Sequence, residues 1–266
     1  MNESLSREAL IENHKELLAS IKYASFIQQA ILPDKKLLKS ALKDYLLFFR
    51  PRDIVSGDFY YCSRKDDSVI MAAGDCTGHG VPGALLSIMG ISFLNEILSE
   101  RNSMKASTIL NLLRERVMKA LHQRGGEDEN KDAIDMALCV INFEQMNLQF
   151  AGANNSLYHV RDNKLTEIKA DKMPVGINAV EEESFTNNTV KLRSGDMIYI
   201  FSDGFPDQFG GPRGKKIMYG PFKSLLSKIA AYDVDYQYDE LGRYLEAWKG
   251  KEPQVDDILV FGVKIN

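Results

Sequence analysis

VIMAAGDCTGHGVPGALLSIMG, residues 69–90, changes character in its middle. An apolar run through Ala73 ends at a carboxylate, Asp75, and the chain then turns through glycines at 78, 80 and 83. Apolar residues resume at the spacing of a helix face, with Leu85, Ile88 and Met89 following Pro82 in the opening turn. The stretch therefore reads as a strand that delivers an aspartate into a glycine loop, followed at once by a helix.

The same context recurs. Asp58 opens an apolar strand in VSGDFYYC, Asp203 ends one in IYIFSDGF, and Asp256 and Asp257 open the last in QVDDILVFGV. Neighbouring strands lie about 4.8 Å apart, so aspartates at matching strand ends can converge. Any one of them alone reads as a turn residue, since Asp-Gly and Gly-Asp mark turns. Four in one context point to a shared site. Clustered carboxylates repel one another, and an oxygen-only set suits hard cations such as Mg²⁺ or Mn²⁺. Two such ions about 3.5–4 Å apart activate a water for in-line attack at phosphorus.

The usual protein nucleophiles are not apparent. No cysteine has an arginine six residues on, DVDYQ (233–237) lies in a polar connection with Gln at its last position, and FGGPRGKK has the wrong glycine spacing for a phosphate loop.

Around these motifs the chain reads as short strands with interposed helices. Residues 4–32 form one long helix stopped by Pro33, with Leu10, Leu17, Ala24 and Ile31 on one heptad position and His14, Ile21 and Gln28 on another. It serves either as a helix packed on its own domain or as a dimerising, signal-transmitting stalk. Strands follow at YLLFF (45–49), DFYYC (58–62) and SVIMAAG (68–74), then helices near 82–99 and 105–123. After the polar loop 125–132 come DMALCVINF paired with LQFAGA, SLYHV paired with KLTEI, and MIYIFSDG. Helices near 220–231 and 236–249 precede DILVFGVKI. Many antiparallel strands with few helices indicate an α+β layered domain.

The 266 residues, 44% hydrophobic and 26% charged, suffice for one substantial domain and an appendage. A formal net charge of −4 disfavours a general nucleic-acid surface. No membrane span or signal peptide is expected, and Cys62, Cys76 and Cys139, without a CxxC pair, suit a cytoplasmic protein.

VSGDFYYC, GDCTGHGVPGA, FAGANNSLY, FSDGFPDQFGG and QVDDILVFGV, in this order, resemble the PPM (PP2C-like) metal-dependent protein phosphatases of the bacterial SpoIIE/RsbU type. The resemblance covers residues 45–266, and the helix ending IQQAILP resembles the linker that joins sensory modules to such domains. It implies an α-β-β-α sandwich of two mainly antiparallel sheets flanked by helices, and a division into a helical linker (1–33) and a phosphatase domain (45–266). It implies two Mn²⁺ or Mg²⁺ ions bridged by Asp75, with Asp203 and Asp256 on one ion and the Cys76 carbonyl on the other. Asp58 would hold metal-bound waters or a metal directly, and Asp257, where the family usually has Asn, would be an indirect or occasional ligand.

His79 is the candidate proton donor, although it stands four residues after Asp75 where eukaryotic-type relatives place a histidine two residues on; its other reading is a turn-stabilising residue. Arg50 and Arg52 are candidates for holding phosphate, Asn154 and Asn155 are loop hydrogen-bonders, and Asp135 stands where an accessory third-metal ligand would fall and is left uncommitted. The implied substrate is a phosphorylated regulator such as a STAS-domain anti-sigma-factor antagonist, with a homodimer through the first helix. The rivals are a calcineurin-like metallophosphoesterase, disfavoured by only four histidines and no GNHE, and a catalytically silent phosphatase-like adaptor.

Overall fold

The computed structural model describes residues 2–100, 105–124, 126, 130–178 and 184–266, with side chains from residue 7 onward. In chain order the elements are α1 (Asn2–Ile31), α2 (Lys35–Ala41), β1 (Asp44–Arg50), β2 (Phe59–Lys65), β3 (Ser68–Cys76), α3 (Gly80–Glu100) and α4 (Ala106–Ala120). Then follow β4 (Ile134–Asn142), β5 (Asn147–Ala153), β6 (Leu157–Arg161), β7 (Lys164–Ile168), β8 (Asn188–Lys191) and β9 (Met197–Phe201). The chain closes with α5 (Gly204–Asp207), β10 (Phe209–Gly210), β11 (Lys215–Lys216), α6 (Tyr219–Ile229), α7 (Val234–Lys249) and β12 (Ile258–Lys264).

Two five-stranded sheets, ordered β1-β12-β9-β6-β7 and β2-β3-β4-β5-β8, are antiparallel at every ladder. Strand β3 shows why its sequence is apolar throughout. Val69, Met71 and Ala73 point into the layer between the sheets, where Ile198, Ile200, Leu259 and Phe261 of the other sheet meet them. Ile70 and Ala72 alternate to the opposite face and pack beneath α3 and α4, against Leu94, Ile97, Leu110 and Leu113. A third apolar layer joins Tyr199, Phe201 and Val260 to Phe222 and Leu226 of α6 and Leu241 and Leu245 of α7. The order is helices, sheet, sheet, helices: the expected α-β-β-α sandwich.

Local differences have local causes. Helix α2 is absent from the sequence reading, yet Asp34 caps it by accepting from the Leu37 N–H at 2.7 Å, and Leu38 and Leu42 are fully buried between the sheets. The globular core thus extends N-terminal of residue 45. By length and composition α3, with a window of mean hydropathy 1.6, does reach what a membrane span needs, contrary to the expectation that no such stretch exists. Its packing against the second sheet through Ile91, Leu94 and Ile97 identifies it as a core helix. Within the expected loop 125–132, residues 125 and 127–129 lie outside the described residues.

Only the last turns of α1 are tied down. Leu10, Leu17, Tyr23 and Phe26 are exposed, whereas Gln28 is buried. Its Nε2 donates to the Ser56 carbonyl (2.6 Å) and to Ser87 Oγ on α3 (2.9 Å), while its Oε1 accepts from the Ser56 N–H (3.1 Å).

Candidate metal centre

The carboxylates meet where both sheets present strand ends on one side of the sandwich. Asp75 lies in the final rungs of β3, opposite Asp135 at the start of β4. Asp203 follows β9 directly and occupies the N-cap position of α5, but its side chain makes no capping bond. Asp256 precedes β12, its Oδ1 accepting from the Asp257 N–H at 2.8 Å. Together with Cys76, Thr77, Gly78 and Ala133, these four aspartates line a cleft of about 190 Å³. Their grouping comes from two sheets and four separate stretches of chain.

The loop between β3 and α3 owes its path to glycine. Gly78 has φ +80° and Gly80 φ +66°, the left-handed region that costs an ordinary residue energy. A Cβ on Gly83 would run into the Gly78 carbonyl and stand 2.9 Å from the Gly57 Cα, so three glycines let α3, the 76–80 loop and the Asp58 segment touch backbone to backbone. Thr77 fastens the loop to β4: its N–H and hydroxyl donate to the Ala133 carbonyl (3.0 and 3.1 Å), and its Oγ1 accepts from the Ala133 N–H (3.0 Å).

The electrostatics follow from this crowding. Burial, then Asp203, Asp256 and Asp135, push the Asp75 carboxyl well above its ordinary range, while the Asp203 backbone N–H draws it back. Burial and then Asp207 and Asp256 raise Asp203 to about 6, opposed by Lys216. Burial raises Asp256 and Asp135; for Asp135, Asn154 Nδ2 donating at 2.7 Å counters it. Such a set resists carrying its full negative charge, and cations are the ordinary remedy.

Among the described residues, no three His, Cys, Asp or Glu side chains close into a compact coordination sphere. An oxygen-lined cleft of this width fits Mg²⁺-like ions that keep much of their shell as water, and the carboxylate donors match that hardness.

The remaining sequence candidates fall in different places. Asp58 is 2% exposed and is not among the cleft-lining residues; Ser202 Oγ donates to its Oδ2 at 2.5 Å. Burial first, and Asp75 second, raise it well above the ordinary range. Asp257, expected as an indirect or occasional ligand, has both oxygens occupied by backbone donors: its Oδ1 accepts from the Arg52 N–H and its Oδ2 from the Gly57 N–H, both at 2.7 Å. The physical reason is the tight 51–57 loop, whose backbone donors need a buried acceptor.

His79 is half-exposed beside the cleft and pairs through Nδ1 with Asp53 Oδ2 at 3.1 Å. The Cys76 thiol is buried, and burial raises it far from thiolate formation, leaving its backbone as the useful donor. Arg50 is drawn away to Glu246 (2.7 Å), whereas Arg52 lies close enough to lower Asp256. Sequence reading missed Ser202, read Gln28 only as a heptad position of the first helix, and left Asp135 uncommitted. The strand-start pattern in AIDMAL was the available signal for Asp135, but its pairing with Asp75 is a matter of register.

This sandwich, with an acidic cleft across its strand ends, defines the PP2C-like class of α+β folds. The structure is similar to the SiaA-PP2C domain of Pseudomonas aeruginosa (TM-score 0.86, 29% identity), covering 96% of this chain and 99% of that one. It is also similar to the PP2C phosphatase domain with a regulatory-domain fragment of the cell fate determinant SpoIIE from Bacillus subtilis (TM-score 0.66, 17% identity, 84% and 63% covered).

The chain belongs to the Stage II sporulation protein E (SpoIIE) family, whose model matches residues 65–266. It is 28% identical over 196 residues to phosphoserine phosphatase RsbU of Bacillus subtilis (strain 168), 71% of this chain. It spans about half, 54%, of that relative's length.

Proposed function

We propose that this chain is a metal-dependent protein serine/threonine phosphatase acting on phosphoserine or phosphothreonine of a bacterial signalling protein. The observation that carries the reading is the convergence of Asp75, Asp135, Asp203 and Asp256 on one cleft, where the Cys76 thiol is kept protonated by burial and the Thr77 hydroxyl is engaged with the Ala133 backbone. The similarity to a relative named phosphoserine phosphatase supports it. In this reading Asp75, Asp203, Asp256 and the Cys76 carbonyl would hold Mn²⁺ or Mg²⁺ ions in the cleft. When bound, such ions polarise phosphoryl oxygens and activate water for in-line displacement.

The protein's own groups do the rest. Asp58, held by Ser202 and close enough to Asp75 to be raised by its charge, would add negative charge behind the ions. Asp257 keeps the 51–57 loop in place, so that Arg52 stays beside Asp256 and offers positive charge to an incoming phosphate. His79, positioned by Asp53 at the rim, is the group placed to return a proton to the departing serine oxygen. A silent adaptor would have no use for this carboxylate set.

The substrate class we favour is a small phosphorylated regulator of the STAS-domain type, met in the cytoplasm. The exposed Leu10 and Leu17 of α1 support pairing of two chains, and Gln28 links that helix to α3 and to the backbone next to Asp58. The function is tested by hydrolysis of a phosphoserine peptide with Mn²⁺ and with chelator. Chelator-sensitive turnover is expected; metal binding without turnover would point to an inactive switch state awaiting its partner or signal, and neither turnover nor metal binding would favour the adaptor.

A further inference from the structure

FGGPRGKK, residues 209–216, lacks the spacing of a phosphate loop, yet the fold brings its last residue beside the metal cleft. The segment forms the β10–β11 hairpin, in which Phe209 pairs with Lys216 and Gly210 with Lys215. Three anchors fix its position. The fully buried Gln208 donates through Nε2 to the Pro253 carbonyl (2.9 Å) and accepts through Oε1 from the Val255 N–H (3.3 Å), one residue before Asp256. Helix α7 holds the turn: the Gly211 N–H donates to the Trp248 carbonyl at 2.7 Å, and Trp248 Nε1 donates to the Lys215 carbonyl at 3.1 Å. Lys216 Nζ makes the third anchor by donating to Asp207 Oδ2 at 2.7 Å, on the short helix that follows Asp203. The hairpin is thus tied to both stretches of chain that deliver Asp203 and Asp256.

An ion pair this exposed adds little stability, so the use of Lys216 lies elsewhere. An ammonium has three donors, and the bond to Asp207 takes one. The side chain is 39% exposed, which leaves the others open to a ligand from solvent. Its charge reaches the cleft: it draws Asp203 back from the rise that burial imposes, and Asp203 and Asp256 in turn add to the Asp207 bond in favouring the ammonium. Arg52 acts in the same sense on Asp256. Divalent ions in the cleft would do little more than balance its four aspartates. A phosphate dianion entering there brings negative charge that needs further cations.

We propose that Lys216 is a substrate-binding residue of this site, whose ammonium, anchored by Asp207, donates to an oxygen of the phosphate monoester entering the cleft. The inference rests on the phosphatase reading above and deepens it: the phosphoryl group is recognised by Lys216 beside Asp203 as well as by Arg52 beside Asp256. Because Asp207 and the hairpin anchors hold Lys216 in place, little side-chain freedom remains to be lost when the phosphate arrives. The contact reads the doubly charged phosphoryl group and not the flanking sequence.

The test is calorimetric binding, to the full chain with Mn²⁺, of a blocked heptapeptide carrying a non-hydrolysable phosphonate in place of the serine phosphate. Mn²⁺ affinity is measured beside it. Lys216→Gln is expected to weaken the phosphonate peptide about tenfold and to raise KM for the phosphoserine heptapeptide by a similar factor. Its Mn²⁺ affinity should equal or exceed that of wild type, because a positive charge has left an acidic cleft. Lys216→Arg, which keeps the charge, should retain most of the phosphonate binding. Unchanged phosphonate affinity in Lys216→Gln overturns the assignment, as does wild type that binds Mn²⁺ but not the phosphonate. A loss matched by an equal fall in Mn²⁺ affinity also overturns it, since Lys216 would then only support the metal ligands. Wild type that neither binds Mn²⁺ nor hydrolyses the phosphoserine heptapeptide overturns the phosphatase reading and Lys216 with it, so the two failures are distinct.

Discussion

Asp75 and Asp203 show how burial and like charge act on single residues. Both carboxyls are raised, so each ionised form is disfavoured in the folded state. For a group raised in this way, the stabilising contribution belongs to the protonated form; it is present at low pH and lost as pH rises through the folded value. Neutralising one member should relieve its neighbours. Asp75→Asn and Asp203→Asn are therefore expected to melt, in chelator at neutral pH, no lower than wild type. They should nevertheless lose calorimetrically detectable Mn²⁺ binding and roughly 100-fold or more of turnover. Full metal-dependent activity in either variant would sink the assignment. Gln28 behaves oppositely. Gln28→Ala strips partners from the buried Ser56 backbone and Ser87, and should cost about 1–3 kcal/mol in urea unfolding.

Among elements, the turn from β3 into α3 carries the tightest constraint. Gly83→Ala places a methyl against the Gly78 carbonyl, next to the strand that carries Asp75. The backbone must shift, so weakened Mn²⁺ affinity is expected together with a loss of about 1–3 kcal/mol of stability. Wild-type metal affinity in that variant would show that the loop tolerates looser packing.

The second constraint lies at the far end of the sheet, where Asp196 takes two bonds from Arg161, at 2.7 Å to Nε and 2.6 Å to NH2, and one from the Arg193 N–H at 2.9 Å. Burial raises this carboxyl, but Arg161 and the Arg193 N–H outweigh it and hold the net value below the ordinary range. A lowered carboxylate stabilises above its unfolded pKa and loses that contribution as pH falls through the folded value. Wild type should therefore lose stability below about pH 4. Asp196→Asn should lack that slope and be roughly 2–4 kcal/mol less stable at pH 7, as followed by chemical denaturation.

For the whole molecule, the metal cleft spans both sheets, with Asp75 and Asp135 on one and Asp203 and Asp256 on the other. Ions bound there cross-link the sandwich and exist only in the folded state. Mn²⁺ at about 100 times its dissociation constant should add about 2.7 kcal/mol of stability, read as a rise in Tm that chelator reverses. An unchanged Tm on saturating Mn²⁺ would argue against a structural cross-link. Pairing of chains through α1 belongs to this scale too. Light scattering of the full chain beside Leu10→Glu/Leu17→Glu is expected to show a dimer reduced to monomer.

Much of this was written locally. Alternation in β3, the glycines at 78 and 80, Pro33 and the strand-end aspartates are short-range patterns, because steric rules and periodicity act over a few residues. They were enough for the α+β layering, the main strands and helices and most of the acidic candidates, but not for α2 or the short elements around residues 188–191 and 204–216. Strand register and loop packing were not legible in that way, since they depend on partners as distant as Arg52 and Asp257, 205 residues apart. Only the folded chain set Asp135 opposite Asp75, turned both Asp257 oxygens to the 51–57 backbone, and seated Gln28 between Ser56 and Ser87. Sequence determines which residues carry charge and which way a strand faces; tertiary packing decides which charges must share one low-dielectric space.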